Sequence, residues 1–189
     1  MLVKKSLFLS YLLFYASFCA ADNQIPDFFE VDYTLYSNDM KIGLMQRHFF
    51  QKEDGTYTFH SESKTTGFIS FFRKDHILES SNWGYIDSQF KPLLYKYQHT
   101  GGKRDRDVEI SFHWDTGKII NRVNESIWNM QTEPGILDKL LYQLTIMSDL
   151  KAGIVPKSYT VADGGKIKTY MFNYISDETL KTPIGEFKT

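Results

Sequence analysis

The chain has 189 residues, 22 Lys and Arg against 23 Asp and Glu, a formal charge of −1 and one cysteine. A balance this close to neutral supplies no field to hold a nucleic acid, and one thiol excludes a disulfide framework or a multi-thiolate metal centre. Aromatic residues make up 16% of the chain, a share that favours strands and amphipathic surfaces.

The N-terminus carries the most specific signal. Met1 to Lys5 is short and basic, and Ser6 to Phe18 is apolar and uncharged. Cys19-Ala20-Ala21 then places small residues ahead of a cleavage before Asp22. That is the grammar of a secretory signal peptide, and the apolar run is too short to span a bilayer comfortably. A retained signal anchor is the alternative, and the bulky Phe18 makes Cys19 a poor lipidation site. Export with removal of residues 1–21 is expected, leaving no stable membrane span. Cleavage also removes the only thiol, so residues 22–189 must rely on a packed core. No linker, repeat or low-complexity tract divides them, and one β-rich domain is expected.

Along the chain, apolar residues alternate with polar ones in Phe29-Val31-Tyr33-Leu35, around Tyr57 and Phe59, in Leu93-Tyr95-Tyr97, in Val108-Ile110-Phe112-Trp114 and in Tyr170-Phe172-Tyr174. One wet face and one buried face is what an antiparallel sheet needs. Turn signals separate the runs: Ser37-Asn38-Asp39, Glu53-Asp54-Gly55, Gly101-Gly102, Asp115 to Lys118 and Asp163-Gly164-Gly165. The expected architecture is mainly β, a meander of long strands.

One segment changes period. Ile136 to Ala152 carries Leu137, Leu140, Leu141, Leu144 and Met147 at three- and four-residue spacing, which predicts a helix packed on the sheet. Asp138 near its start and Lys151 near its end suit the helix dipole. A membrane-surface helix is the sharper alternative, and the acidic residues speak against it.

Two stretches are candidates for binding. Thr65 to Phe72 does not alternate cleanly; buried core is the plainer account, and exposure of Phe68, Phe71 and Phe72 at a cavity mouth the sharper one. Beside Gly101-Gly102, the cations Lys103, Arg104 and Arg106 are suited to lipid phosphates or an anionic polymer. The plainer account is a hairpin tip or edge strand protected from aggregation. The five histidines show no zinc-helix spacing and no His-x-His, so no metal site is expected. Paired carboxylates such as Asp105 and Asp107 are explained by solvated strand faces, although His60, His113, Asp105, Asp107 and Glu109 would matter if they met in one cleft. No nucleophile elbow, phosphate loop or cofactor motif is present.

The order of features resembles the 3108 family of domains of unknown function, found in exported proteins of Gram-negative bacteria. The resemblance rests on Phe29-Glu-Val-Asp-Tyr33 leading to Lys41-Ile-Gly43, then Asp54-Gly-Thr-Tyr57 with Thr66-Gly67-Phe68 and Glu79-Ser80-Ser81. It continues through Lys91-Pro92-Leu93-Leu94-Tyr95-Lys96-Tyr97, Lys103-Arg104-Asp105-Arg106, Leu137 to Leu144, and Leu180 to Thr189. It implies a curved antiparallel sheet, a half-open barrel shaped like the periplasmic lipoprotein carriers, with one covering helix and a periplasmic location. It carries no catalytic residues over. It also implies further strands beyond Thr189, since relatives run on from a similar Thr-Pro-x-Gly-x-Phe strand.

Three functions compete. The first is a non-enzymatic protein binding a lipid or other envelope ligand in an apolar groove. The second is a structural or assembly partner of envelope proteins, and the third a hydrolase of envelope polymers. A map of the cavities separates the first from the third.

Overall fold

The computed structural model describes residues 25–188. The signal-peptide reading falls on residues 1–21, outside the described ones. Eight strands form an antiparallel meander in chain order: β1 (Phe29–Ser37), β2 (Met40–Gln51), β3 (Tyr57–Thr65), β4 (His76–Ile86), β5 (Gln89–Thr100), β6 (Arg106–His113), β7 (Lys118–Val123) and β8 (Ser126–Gln131). A second sheet joins β9 (Leu137–Asp138), β10 (Ser158–Asp163) and β11 (Lys166–Met171), with β9 parallel to β10. β12 (Thr179–Thr182) and β13 (Gly185–Lys188) make a separate hairpin, and α1 (Leu141–Lys151) is the one α-helix among the described residues. β1 and β8 do not pair, so the large sheet is not a closed barrel. None of the described helices is long and apolar enough to cross a membrane.

Local chemistry explains the meander. Asn38-Asp39 and Asp87-Ser88 all take positive φ, the conformation of tight two-residue hairpin turns that follow the twist of the strands. Pro92 lies opposite Trp83, where the β4–β5 register shifts; at such an irregularity a missing N–H is tolerated.

Cross-strand registers put Phe29, Phe49, Phe59, Ser81, Tyr95, Ile110, Asn121 and Trp128 in one row across the sheet. This row lies on the inner face. Over it pack Ile136, Leu137, Leu140, Leu141, Leu144 and Ala162, all buried in the same core cluster. Removing this much apolar surface from water is the main stabilising term.

The helix begins later than its periodicity suggests. Ile136 to Leu140 are not helical, and Leu137-Asp138 instead form β9 against Val161-Ala162. The Asp138 carboxylate accepts hydrogen bonds from the Leu140 and Leu141 amides at 2.9 and 2.8 Å, so it caps the helix rather than riding in its first turn. The alternation through Tyr170-Phe172-Tyr174 also ends early, at Met171. At the far end, Phe187 of β13 is 46% exposed, and the β12–β13 hairpin pairs with no other strand among the described residues.

Candidate functional site: two clefts along the inner face of β5

The segment from Ile136 to Leu144 and strand β10 cover part of the inner face. Elsewhere on that face two clefts of about 450 Å³ each lie along β5. Tyr95, Tyr97 and His99 alternate along β5 on this side, and the Tyr97 and His99 rings meet edge to face at 6.4 Å. Tyr97 lines one cleft and His99 lines the other.

The first cleft is cationic. Arg106, Lys139, Lys166 and Lys168 surround Tyr95, Tyr97 and Val108, with Asp163 the one carboxylate in the lining. Lys168 is tied to Asp163 at 2.6 Å, while Lys139 rests its ammonium 5.4 Å from the Tyr97 ring centre. Arg106, Lys139 and Lys166 form no ion pair among the described residues. Burial raises Asp163, but bonds from Lys168 and Tyr170 outweigh it and hold the carboxyl below its usual range. This wall is set by the β10–β11 turn. Trp128 donates its indole N–H to the Gly165 carbonyl at 2.9 Å, and a Cβ at Gly165 would fall 1.9 Å from the Trp128 ring.

Under this cleft lies a buried polar floor. Ser81 donates to Asp138 at 2.5 Å, and the Tyr95 hydroxyl donates to Glu79. Burial pushes the Asp138 carboxyl up to about 6, opposed by the bonds from Ser81, Leu141 and Leu140. Burial beside the Glu79 carboxylate pushes the Tyr95 phenol far above its usual range.

The second cleft is more apolar. Leu35, Ile42, Ile69 and Ile77 line it together with Gly43, which has no room for a side chain because a Cβ would stand 2.9 Å from the Lys64 carbonyl. Asp75 closes its polar side, bonded to His99 at 2.8 Å and paired with Arg73 at 2.8 Å. The His99 bond, against a small burial effect, and the Arg73 guanidinium hold the Asp75 carboxyl below its usual range.

The sequence-derived binding residues divide between these features. Arg106 lines the cationic cleft. Lys103 and Arg104 lie in the exposed β5–β6 turn. Phe68, Phe71 and Phe72 belong to a 3₁₀ turn, Gly67–Phe71, and its immediate end; they are 65%, 82% and 74% exposed. The plainer expectation of buried core therefore fails for these three rings, and only Ile69 of the turn lines the apolar cleft. A 3₁₀ turn presents its residues around three sides, so Phe68, Ile69, Phe71 and Phe72 cannot all face inward.

Sequence reasoning missed Lys139, Lys166 and Lys168. Lys139 directly follows β9, and Lys166 and Lys168 stand on β11, without any shared motif; only the packing of these elements on the sheet brings them to one cleft. The hydrolase candidates are partly assembled: His60, Asp107 and Glu109 border a depression of about 380 Å³, where Glu109 is paired to Lys96 at 3.3 Å. His113 and Asp105 do not line it.

Residues 30–189 match the family model described as Protein of unknown function (DUF3108). No curated protein and no solved structure matches the chain.

Proposed function

The chain belongs to the DUF3108 family, whose description assigns no activity, and we propose that it is an exported, non-enzymatic protein that binds an anionic amphiphile of the cell envelope. The single observation that carries this reading is the junction on β5. A cleft with three unpaired cations meets a cleft lined by four aliphatic side chains, with Tyr97 and His99 between them.

An acidic head group would take charge-assisted hydrogen bonds from Arg106, Lys139 and Lys166, and an acyl chain would displace water from beside Leu35, Ile42, Ile69 and Ile77. The export signal read at residues 1–21 supports an envelope location. Of the carboxylates that border the depression with His60, Glu109 is paired with Lys96, which leaves Asp107 and Glu79 as the ones a hydrolase reading would need.

Calorimetric titration with dodecyl phosphate tests the reading. Saturable binding below the micelle concentration is expected, weakened about tenfold or more by Arg106→Ala combined with Lys139→Ala. Ile77→Asp is expected to abolish discrimination between dodecyl phosphate and inorganic phosphate. Equal affinity of the wild type and both variants, or equal binding of an uncharged dodecyl detergent, contradicts the proposal.

A further inference from the structure

The 3₁₀ turn at Gly67–Phe71 stands at one end of the meander, the end that also carries the β1–β2 and β5–β6 turns. Its aromatic rings meet one another: Phe68 meets Phe71 at 6.2 Å and Phe72 at 5.2 Å between ring centres. The turn itself is firmly held. The Thr66 amide donates to the Ile42 carbonyl, Thr65 donates to Asp75, and Arg73 pairs with Asp75 at its base. Exposed rings gathered at one turn are a costly surface in water unless something apolar receives them.

The neighbours of the rings say what receives them. The Lys41 carbonyl lies 3.4 Å from where a Cβ of Gly67 would be, and a Cβ of Gly101 would fall 2.0 Å from the Lys74 carbonyl. The start of β2 therefore lies close to the aromatic turn, and the Lys74 backbone that follows this turn lies close to Gly101. Lys41, Lys74, Lys103 and Arg104 are all exposed, and none forms an ion pair among the described residues. An aromatic tip flanked by unpaired cations matches the layering of an anionic bilayer surface, apolar beneath and phosphate above.

We propose that this end of the sheet docks on a phospholipid bilayer containing anionic lipid, with Phe68, Phe71 and Phe72 entering the interface and Lys41, Lys74, Lys103 and Arg104 meeting phosphates. This goes beyond ligand binding in the clefts and stands without it. The docked end is also the end at which Ile69 and Arg73 line the apolar cleft, so docking brings that cleft toward the lipid.

Co-sedimentation of the full chain with phosphatidylglycerol and phosphatidylcholine vesicles tests the proposal. Binding to the anionic vesicles alone is expected, falling with added salt. Phe68→Ser, Phe71→Ser and Phe72→Ser together are expected to reduce it about tenfold or more, as is the set Lys74→Ser, Lys103→Ser and Arg104→Ser. Far-UV circular dichroism checks that each set is folded, and Phe71→Ser alone, at the most exposed ring, replaces the triple variant if it is not. Arg106→Ala with Lys139→Ala should leave vesicle binding unchanged, which separates this result from the cleft titration. Wild-type binding that none of the substitutions weakens overturns the proposal. So does absence of vesicle binding together with a photo-crosslinker at Phe71 that captures a protein.

Discussion

Asp138 is fully buried, yet its two oxygens accept from the Ser81 hydroxyl and from the Leu140 and Leu141 amides. The residue therefore joins β4 of the large sheet to β9 and the start of α1. Three donors do not fully offset the lost hydration, and the carboxyl rests at about 6 against an ordinary 3.8. A raised carboxyl favours the protonated folded state. Its stabilising contribution is complete below the unfolded value of 3.8 and is lost as pH rises through about 6, a fall of about 3 kcal/mol that then levels off. Asp75 and Asp163 are shifted the other way, so their contributions are lost only as pH falls below 3.8. Across pH 4 to pH 7 the Asp138→Asn variant, whose amide oxygen can still cap α1, should lose the fall in urea midpoint that Asp138 contributes to the wild type. An unchanged slope in the variant would remove Asp138 as its source.

The β10–β11 hairpin is the element that turns a bare sheet face into a cationic cleft. It is fastened where Trp128 of β8 meets Gly165, a residue at φ +87° with no space for a Cβ. Gly165→Ala combines a left-handed backbone penalty with a direct clash, and about 2–4 kcal/mol of destabilisation is expected. Hydrogen exchange should show the loss in β10 and β11 first, with the β2–β5 amides little changed; uniform loss across both sheets would show that the hairpin is not a separate element. How much of this was legible follows from period and from distance along the chain. The alternation of Val108-Ile110-Phe112 and the Asn38-Asp39 turn are local signals, and the strands formed where they point. The start of α1 was misplaced because Leu137 and Leu140 are apolar on either reading, and pairing with β10 decided between them. The Phe68, Phe71 and Phe72 exposure was legible as broken alternation, whereas the side it fell on was not. Lys139, Lys166 and Lys168 carry no local signal at all, since they converge with Arg106 from elements far apart in the chain.

Across the whole molecule, one face of an eight-stranded sheet is used twice. Where Ile136 to Leu144 and β10 cover it, it is core; where they do not, it holds two clefts of opposite character side by side. The end beside the apolar cleft carries the exposed phenylalanines and the unpaired cations of the neighbouring turns. This arrangement suits a protein that meets an anionic lipid surface and takes up an amphiphile from it. Binding without chemistry is the central proposal, and native mass spectrometry of the protein purified from the cells that make it tests it most directly. The expected spectrum contains the chain with one non-covalent acidic amphiphile, an adduct lost in the Arg106→Ala, Lys139→Ala variant. A spectrum of the bare chain alone, from wild type and variant alike, would contradict it.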